Sequence, residues 1–329
     1  EYTTDGQSLQ IVYSDATNGW IPISDDDVSD APTLGNTEGI FAYGYTSSVV
    51  SMSNLVSNAG VVATDVTGVG TVREGNPGAC EYGGDKGIFG YGNGPTWNNS
   101  LSVTNLVSNA GVVATDTTGV GTARWGLAAC DYGDDKGIFG YGSIGDDSGA
   151  YVSLTNLVSN AGVVATDTTG VGTARYYLVA CEYGNDKGIF GYGGTGSRVS
   201  MTNLVSNSGV VATDVTGVGT AREQLAACSY RGDKGIFGYG KTSNDSSVRV
   251  SMTNLVSNVG VVATDTTGVG SDRYGLAACE YGGDKGIFGY GSTGSVTAIT
   301  NLVSNAGVVA TDTTGVGTGR RSLAACSFN

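Results

Sequence analysis

Short apolar segments recur along the whole chain, and Gly, Asn, Asp and Ser separate them. No stretch keeps the 3.6-residue spacing that an amphipathic helix requires. Runs this short, bounded by turn residues, are typical of β-strands. Four kinds of apolar segment follow one another in a constant cyclic order, and we call them segments A to D. One example of each, in the order A to D, is Leu-Ala-Ala-Cys at 127–130, Ile-Phe-Gly-Tyr at 138–141, Thr-Asn-Leu-Val-Ser at 104–108 and Val-Val-Ala-Thr-Asp at 112–116. The pattern therefore predicts an all-β protein.

The four segments form a unit that occurs six times, with a period of 47 to 51 residues. Segment C marks the repeat, because Asn-Leu-Val-Ser-Asn begins at six places: Asn54, Asn105, Asn156, Asn203, Asn254 and Asn301. Four strands in about 48 residues is the size of one β-propeller blade. We therefore expect two regions, a six-bladed propeller over 39–329 and an extension over 1–38. The extension should form a hairpin from Ser8–Tyr13 and Gly19–Ile23, followed by an acidic linker.

The order of the segments predicts how the six units are joined. The first copy begins with segment B at Gly39, and the last copy ends with segment A at Cys326. An open array would leave an incomplete sheet at each end, without the capping repeats that open solenoids need. If Leu323–Cys326 pairs with the first copy, all six sheets are complete. The order therefore predicts a closed ring of six four-stranded blades.

The repeat resembles the kelch repeat in three places. Arg124 precedes the small residues Leu127–Ala129, and the apolar stretch Gly137–Gly142 ends in glycines, as the kelch pattern does. The resemblance covers 39–326, although the Trp that kelch repeats carry after segment C is missing here. It implies a kelch-like β-propeller.

A second resemblance concerns the near-identical copies of Asp-Lys-Gly-Ile-Phe-Gly-Tyr-Gly and Thr-Asn-Leu-Val-Ser-Asn. They look like repeat proteins of bacteriophage virions. Gln7–Tyr13 and Gly19–Pro22 are similar to short segments of phage tail-associated structural proteins. This resemblance implies a virion or extracellular location, and contact with other virion proteins through the N-terminal extension.

The six copies differ mainly in two connections. The B–C loop varies in length, with 9, 12, 13, 9, 13 and 9 residues between the Gly that ends segment B and the Asn of segment C. The D–A connection varies in sequence just after a repeated Arg. In an antiparallel blade both connections lie at the same end, so a uniform scaffold would display diverse loops on one face. We interpret that face as a recognition surface, with free drift of unconstrained loops as the alternative. Aromatic side chains there are the candidate ligand contacts: Trp97, Trp125, Tyr151, Tyr176, Tyr177 and Tyr274.

Composition and charge exclude several classes of protein. The chain has 16 basic and 30 acidic residues and a net charge of −14, which argues against nucleic acid as a partner. No apolar run is long enough for a membrane-spanning helix, so membrane insertion is not expected. The chain has no His, which excludes His-based catalytic triads and His-ligated metals. We predict no cofactor, no metal site and no catalytic residue.

One Cys and one Arg recur in every copy. Equivalent Cys residues in neighbouring sheets would lie about 10 Å apart, too far for a disulfide, so we expect buried free thiols. For the repeated Arg we favour a structural role, either bonding carbonyl groups or pairing with the Asp of segment D, such as Asp116. An anion site in the channel is the alternative for this Arg.

These observations predict a non-enzymatic binding or display module on a phage virion or tail fibre. It would recognise a host-surface glycan or protein through the variable B–C and D–A loops. A purely structural decoration or filament subunit is the alternative. An enzyme that cleaves polysaccharides would need paired loop carboxylates, for which Glu74, Asp146, Asp147 and Glu223 are the candidates.

Overall fold

The computed structural model describes residues 10–15, 19–24, 36–96, 99–145 and 150–329. Every regular element within these ranges is a β-strand, so the prediction of an all-β protein is confirmed. The described residues contain no helix that is long and apolar enough to cross a membrane.

The chain divides into two units, Glu1–Thr33 and Leu34–Asn329. In the first unit, strands β1 (Gln10–Asp15) and β2 (Gly19–Ser24) pair in antiparallel fashion. This is the predicted hairpin, although Ser8 lies outside the described residues.

The second unit contains eighteen strands in six three-stranded sheets. In chain order they are β3 Glu38–Ala42, β4 Ser53–Val56, β5 Gly78–Tyr82, β6 Lys86–Gly90, β7 Thr104–Val107, β8 Ala128–Tyr132, β9 Lys136–Gly140, β10 Thr155–Val158, β11 Val179–Tyr183, β12 Lys187–Gly191, β13 Thr202–Val205, β14 Ala226–Tyr230, β15 Lys234–Gly238, β16 Thr253–Val256, β17 Ala277–Tyr281, β18 Lys285–Gly289, β19 Thr300–Val303 and β20 Ala324–Phe328. Each sheet takes its strands from segments A, B and C, in that spatial order. The first sheet has the order β20-β3-β4, so the last strand of the chain pairs with the first copy, Ala325 opposite Phe41.

Segment D does not form a regular strand. In the first copy it makes only two isolated bridges, Val62 opposite Val56 and Val66 opposite Ser53. The two pairings differ in register by one residue, because segment D carries one extra residue between them. Such a bulge interrupts the ladder. The predicted fourth strand is therefore a bulged segment that follows the outer edge of the sheet, and the other five copies repeat the same two bridges.

Neighbouring sheets nest by placing large side chains against glycines. The Phe139 ring packs on Gly90 of the preceding sheet, where an added Cβ would lie 2.9 Å from the ring. In the opposite direction, the Cys80 Sγ fills the space at Gly137, 2.4 Å from where a Cβ would stand. The Cys contact recurs at all six interfaces, and the Phe contact recurs at five, because Ala42 replaces the glycine that would face Phe89. The core is therefore a set of equivalent interfaces, each a separate cluster of buried side chains.

Because side chains alternate along a strand, Phe89 and Tyr91 would be expected on one face of the sheet, but they lie on opposite faces. Phe89 packs against Tyr43 of the preceding sheet, whereas Tyr91 packs against Phe139 of the following sheet. The reason is local: β6 ends at Gly90, and Tyr91 adopts a left-handed backbone conformation with a φ of 64°. This reverses the side chain, so segment B contributes one aromatic ring to each of the two interfaces of its sheet.

The strands from segment A lie next to one another in a propeller-like arrangement. β5 contacts β8, and contacts continue in order through β11, β14 and β17 to β20, which also contacts β5.

The turns and loops that connect the segments lie at two different ends of the sheets. The A–B and C–D turns lie together, since the Asn109 amide of a C–D turn donates to Asp85 of an A–B turn at 3.2 Å. The B–C loops and D–A connections pair at the other end, as Trp125 does with Ser143. We call these the constant end and the variable end.

Candidate functional site

The variable end is held together by backbone pairing between each D–A connection and a B–C loop. Glu74 and Asn93 exchange two backbone hydrogen bonds of 2.8 Å, and corresponding pairs occur in the other copies. The bridges fix where each loop leaves the sheet, while the loop beyond the bridge differs in length and sequence. The side chains that follow the bridges are therefore displayed on a rigid base.

A groove of about 390 Å³ lies at this end between the first two copies. Its wall combines a phenol, hydroxyls, a carboxylate and an amide with two small apolar residues. The lining residues are Tyr45, Ser47, Ser48, Val49, Glu74, Asn93, Gly94, Pro95 and Thr96. They come from two B–C loops and the D–A connection between them. Concave surfaces of this size, with a few placed polar groups, are typical of small-ligand sites.

Charge within the groove is balanced by a neighbour. The Arg321 guanidinium lies 5.2 Å from the centre of the Tyr45 ring, which gives the ring a cationic partner on one side. Burial raises the pKa of the Glu74 carboxyl, and the charge of Arg321 partly opposes this effect. The Glu74 carboxyl can accept hydrogen bonds from hydroxyl groups of a bound molecule. The Tyr45 ring beside it offers a surface on which an apolar face of that molecule could stack.

A second feature of the variable end is an aromatic cluster around Tyr176. The Tyr151 ring stacks on Tyr176 with centroids 4.5 Å apart and planes at 6°. Trp125 meets Tyr176 and Tyr177 edge-on, at 5.5 and 5.2 Å. The structure therefore brings together four of the six predicted contact residues. Three of them, Tyr151, Tyr176 and Tyr177, are half-buried.

Two predicted contact residues are much less exposed than expected. Trp125 is only 4% exposed, because its indole lies under the neighbouring loop and donates to the Gly145 carbonyl at 2.9 Å. Tyr274 is 8% exposed, and the Lys241 ammonium stands 5.5 Å from its ring centre. The expectation of exposed aromatic rings is corrected for these two, which support the loops around them. Trp97 lies outside the described residues.

Sequence comparison of the copies missed Tyr45 and Asn93. Both occupy the position directly after the Gly that ends segment B, and this position holds a different residue in most copies: Tyr45, Asn93, Ser143, Gly194, Lys241 and Ser292. The variation at this position is the sequence signal that could have identified them.

A polar cluster occupies the variable end between the fourth and fifth copies. The buried Glu223 carboxylate accepts from Arg198 at 2.8 Å and lies 3.4 Å from the Lys241 ammonium. Arg198 also donates to Asn244 at 2.5 Å. With both basic groups already paired, this cluster holds the loops in place, and the groove remains the better candidate site.

The repeated Arg residues face the interior rather than a channel. Arg175, with no exposed surface, donates to the Tyr192 carbonyl at 2.9 Å and to the Asn203 side chain at 2.7 Å. Its guanidinium also lies 4.4 Å from the centre of the Tyr141 ring in the preceding sheet. The structural interpretation of this Arg is therefore supported. The guanidinium has no free face for an anion, so the alternative interpretation of this Arg as an anion site in the channel is not supported.

Each of these Arg residues lies near an Asp of segment D that also joins two copies. Asp167 accepts from the Thr122 backbone amide and hydroxyl and from the Asn156 amide. Partial burial alone would raise its pKa, but these hydrogen bonds and the Arg124 charge outweigh burial and hold the pKa below its ordinary value. The other five copies show the same arrangement and the same direction: Asp65, Asp116, Asp214, Asp265 and Asp312.

Acid should therefore weaken the fold through these six carboxylates. A carboxyl whose pKa is lower in the folded state stabilises the fold above its unfolded pKa of 3.8, and this contribution is lost as the pH falls through the folded pKa. We expect the thermal unfolding midpoint to fall steadily between pH 4 and pH 2. The unfolding midpoint of Asp167→Asn should fall less on acidification than that of the native chain. An equal loss in both proteins, measured by circular dichroism, would contradict this assignment.

The six Cys residues are free and buried, as predicted from their spacing. Burial raises the pKa of every thiol, so none is an activated nucleophile near neutral pH. Their role in the fold is to fill the space beside the glycine of the next sheet.

Neither known protein-family models nor curated proteins match this sequence. Its function is therefore inferred from the geometry of the site and from the residues themselves.

Proposed function

We propose that the repeats form a closed, six-bladed, kelch-like propeller in which segment D is the outer edge of each blade. Three cyclic contacts support this. β20 pairs with β3, Tyr290 packs edge-on against Phe41 with ring centroids 5.1 Å apart, and the Thr318 hydroxyl donates to Asp65 at 2.6 Å. Each contact joins the last copy to the first in the way that successive copies are joined elsewhere.

We propose that this propeller is a binding module whose ligand is a glycan on a host surface. The groove between the first two copies carries the proposal, because variable loops build it and the nearly constant turns take no part. Its hydroxyl, amide and carboxylate groups suit a ligand rich in hydroxyls, and the Tyr45 ring offers a stacking surface. The half-buried side chains of Tyr151, Tyr176 and Tyr177 would extend the contact surface along the variable end of the propeller.

Binding without catalysis fits the groove better than hydrolysis. Among its described lining residues Glu74 is the one carboxylate, whereas most glycosidases act with two. We propose no catalytic residue, and no cofactor for ligand binding.

The setting of the module is proposed from the resemblance to phage proteins. It would be a virion or tail-fibre component, located on the particle or outside the cell. The N-terminal unit, with its β1–β2 hairpin, would attach it to other virion proteins. Nucleic acid and membrane lipid are not proposed as partners.

A glycan array and whole candidate host cells test the proposed binding. We expect saturable binding by the native chain, and a loss of at least about tenfold in affinity for Tyr45→Ser/Glu74→Gln, since each good contact contributes about 1 kcal/mol or more. Val112→Ser/Val163→Ser is the matched control at the constant end, because both valines are about two-thirds exposed. Equal binding by all three proteins would exclude the groove. Binding of cells but of no glycan would indicate a protein ligand.

The structural alternative has one observation in its favour. One valine beside each C–D turn is between 62 and 65% exposed, at the same position in every copy: Val61, Val112, Val163, Val210, Val261 and Val308. Exposed apolar side chains repeated this regularly could make assembly contacts. If the native chain self-associates in sedimentation velocity and Val112→Ser/Val163→Ser does not, the constant end is an assembly surface.

A further inference from the structure

The axis of the propeller carries a ring of acidic residues that the proposed binding site does not use. The position after the Cys of segment A is acidic in four copies and Ser in the other two. These residues are Glu81, Asp131, Glu182, Ser229, Glu280 and Ser327. All six line one cavity of about 40 Å³, together with the adjoining Ala and Cys residues of all six sheets. A volume of this size holds about three water-sized groups.

The charge of this ring has no basic partner in the cavity. No Lys or Arg is among the lining residues that the structure describes. The groups that face the carboxylates are neutral or acidic. The Asn36 amide donates to Glu81, Glu182 and Asp131 share a hydrogen bond, and the Ser229 hydroxyl lies 3.5 Å from Glu280.

Glu280 is the least satisfied member of the ring. Its side chain is 4% exposed, and its Oε1 has no hydrogen-bond partner among the described residues. A buried carboxylate oxygen without a partner is costly, because it has left water and gained nothing in return. Glu280 is one of the residues that line the cavity, where a positive ligand would compensate its carboxylate.

We propose that the acidic ring binds one hydrated divalent cation on the propeller axis. The described residues include no group of three or more Asp, Glu or Cys side chains that could hold a metal ion directly, so the ion would keep part of its water shell. Mg²⁺ and Ca²⁺ take oxygen ligands, and Mg²⁺ in particular retains several waters. The Ser229 hydroxyl, which also lines the cavity, can hold one of those waters. A second cavity of about 80 Å³ is lined by the same axial alanines.

Equilibrium dialysis with radioactive Ca²⁺, at pH 8 and 150 mM KCl, tests the proposal on the full chain. We expect one bound Ca²⁺ per chain, displaced by excess Mg²⁺. Because the ion would bind only the folded ring, the unfolding midpoint should rise by about 5 °C when free Ca²⁺ is 100-fold above its Kd, relative to EDTA.

The decisive comparison is between two variants that each lose three carboxylates. Glu81→Gln/Glu182→Gln/Glu280→Gln should bind Ca²⁺ at least tenfold more weakly than the native chain. Asp134→Asn/Asp245→Asn/Asp272→Asn removes the same charge from exposed positions and should bind normally. If the ring variant does not fold, Glu280→Gln alone replaces it. No saturable Ca²⁺ binding by the native chain would overturn the proposal and leave a ring that holds protons only. Equal binding by both variants would overturn it as well.

Discussion

Deleting residues 324–329 is expected to unfold the proposed propeller at room temperature. The deletion removes β20, leaves β3 without its inner partner, and takes away Phe328 and Cys326, which are 0 and 4% exposed. Loss of a buried Phe alone costs about 3–5 kcal/mol, and domains of this kind have a free energy of unfolding of about 5–15 kcal/mol. Far-ultraviolet circular dichroism and thermal melting measure the effect.

A peptide with the sequence of 322–329 provides the control for this deletion. If β20 acts by completing the first sheet, the peptide should restore a cooperative melt to the shortened chain in a concentration-dependent way. A shortened chain that melts at the native temperature without the peptide would contradict closure of the ring through β20.

Replacing Arg175 by Met should produce the second large loss of stability, about 3 kcal/mol. Met fills most of the volume but removes the hydrogen bonds to the Tyr192 carbonyl and the Asn203 side chain, and a further one to the Thr173 carbonyl at 3.2 Å. The buried acceptors are then left without donors, which costs more than a hydrogen bond contributes when it is present. Urea unfolding measures the free energy.

Two further variants control for the loss of charge and of volume. Arg231 is exposed, so Arg231→Gln removes one positive charge and should change the free energy of unfolding very little. Arg175→Lys keeps the charge but lacks the planar guanidinium that bonds two acceptors at once. Its free energy of unfolding should therefore lie between those of the native chain and Arg175→Met. An Arg175→Met variant as stable as the native chain would contradict the interpretation of this Arg as a link between sheets.

Much of the scaffold could be predicted because the repeat itself supplies the evidence. Segment B predicts a strand near Ile138–Tyr141, and β9 runs from Lys136 to Gly140. The pairing of the last strand with the first copy followed from which segment begins and which ends the array. The buried free thiols followed from the recurrence of Cys at one position of each copy.

Other features depend on details that hydrophobic pattern does not carry. The left-handed backbone at Tyr91 reverses that side chain, and nothing in the alternation of residues signals it. The bulge in segment D arises from one extra residue between two bridges, which short apolar runs do not reveal. Both features change which surfaces meet, although the strands themselves were predicted.

The candidate site was predicted only in part, for a physical reason. Sequence variation located the variable end, and four aromatic residues predicted there do meet. Whether a ring is exposed depends on the neighbouring loop that covers it, as the Gly145 loop covers Trp125. The groove of Tyr45 and Glu74 arises where two loops from different copies approach, and one copy read alone does not show it.

Hydrogen–deuterium exchange, with and without a glycan that binds on the array, tests the central claim most directly. The claim is that the variable end recognises the ligand and the constant end supports it. We predict slower exchange in 45–49, 74–76 and 93–96, with no change in the turns at 57–61 and 83–86. Protection of those turns, with the variable loops unchanged, would contradict the account and place recognition at the constant end.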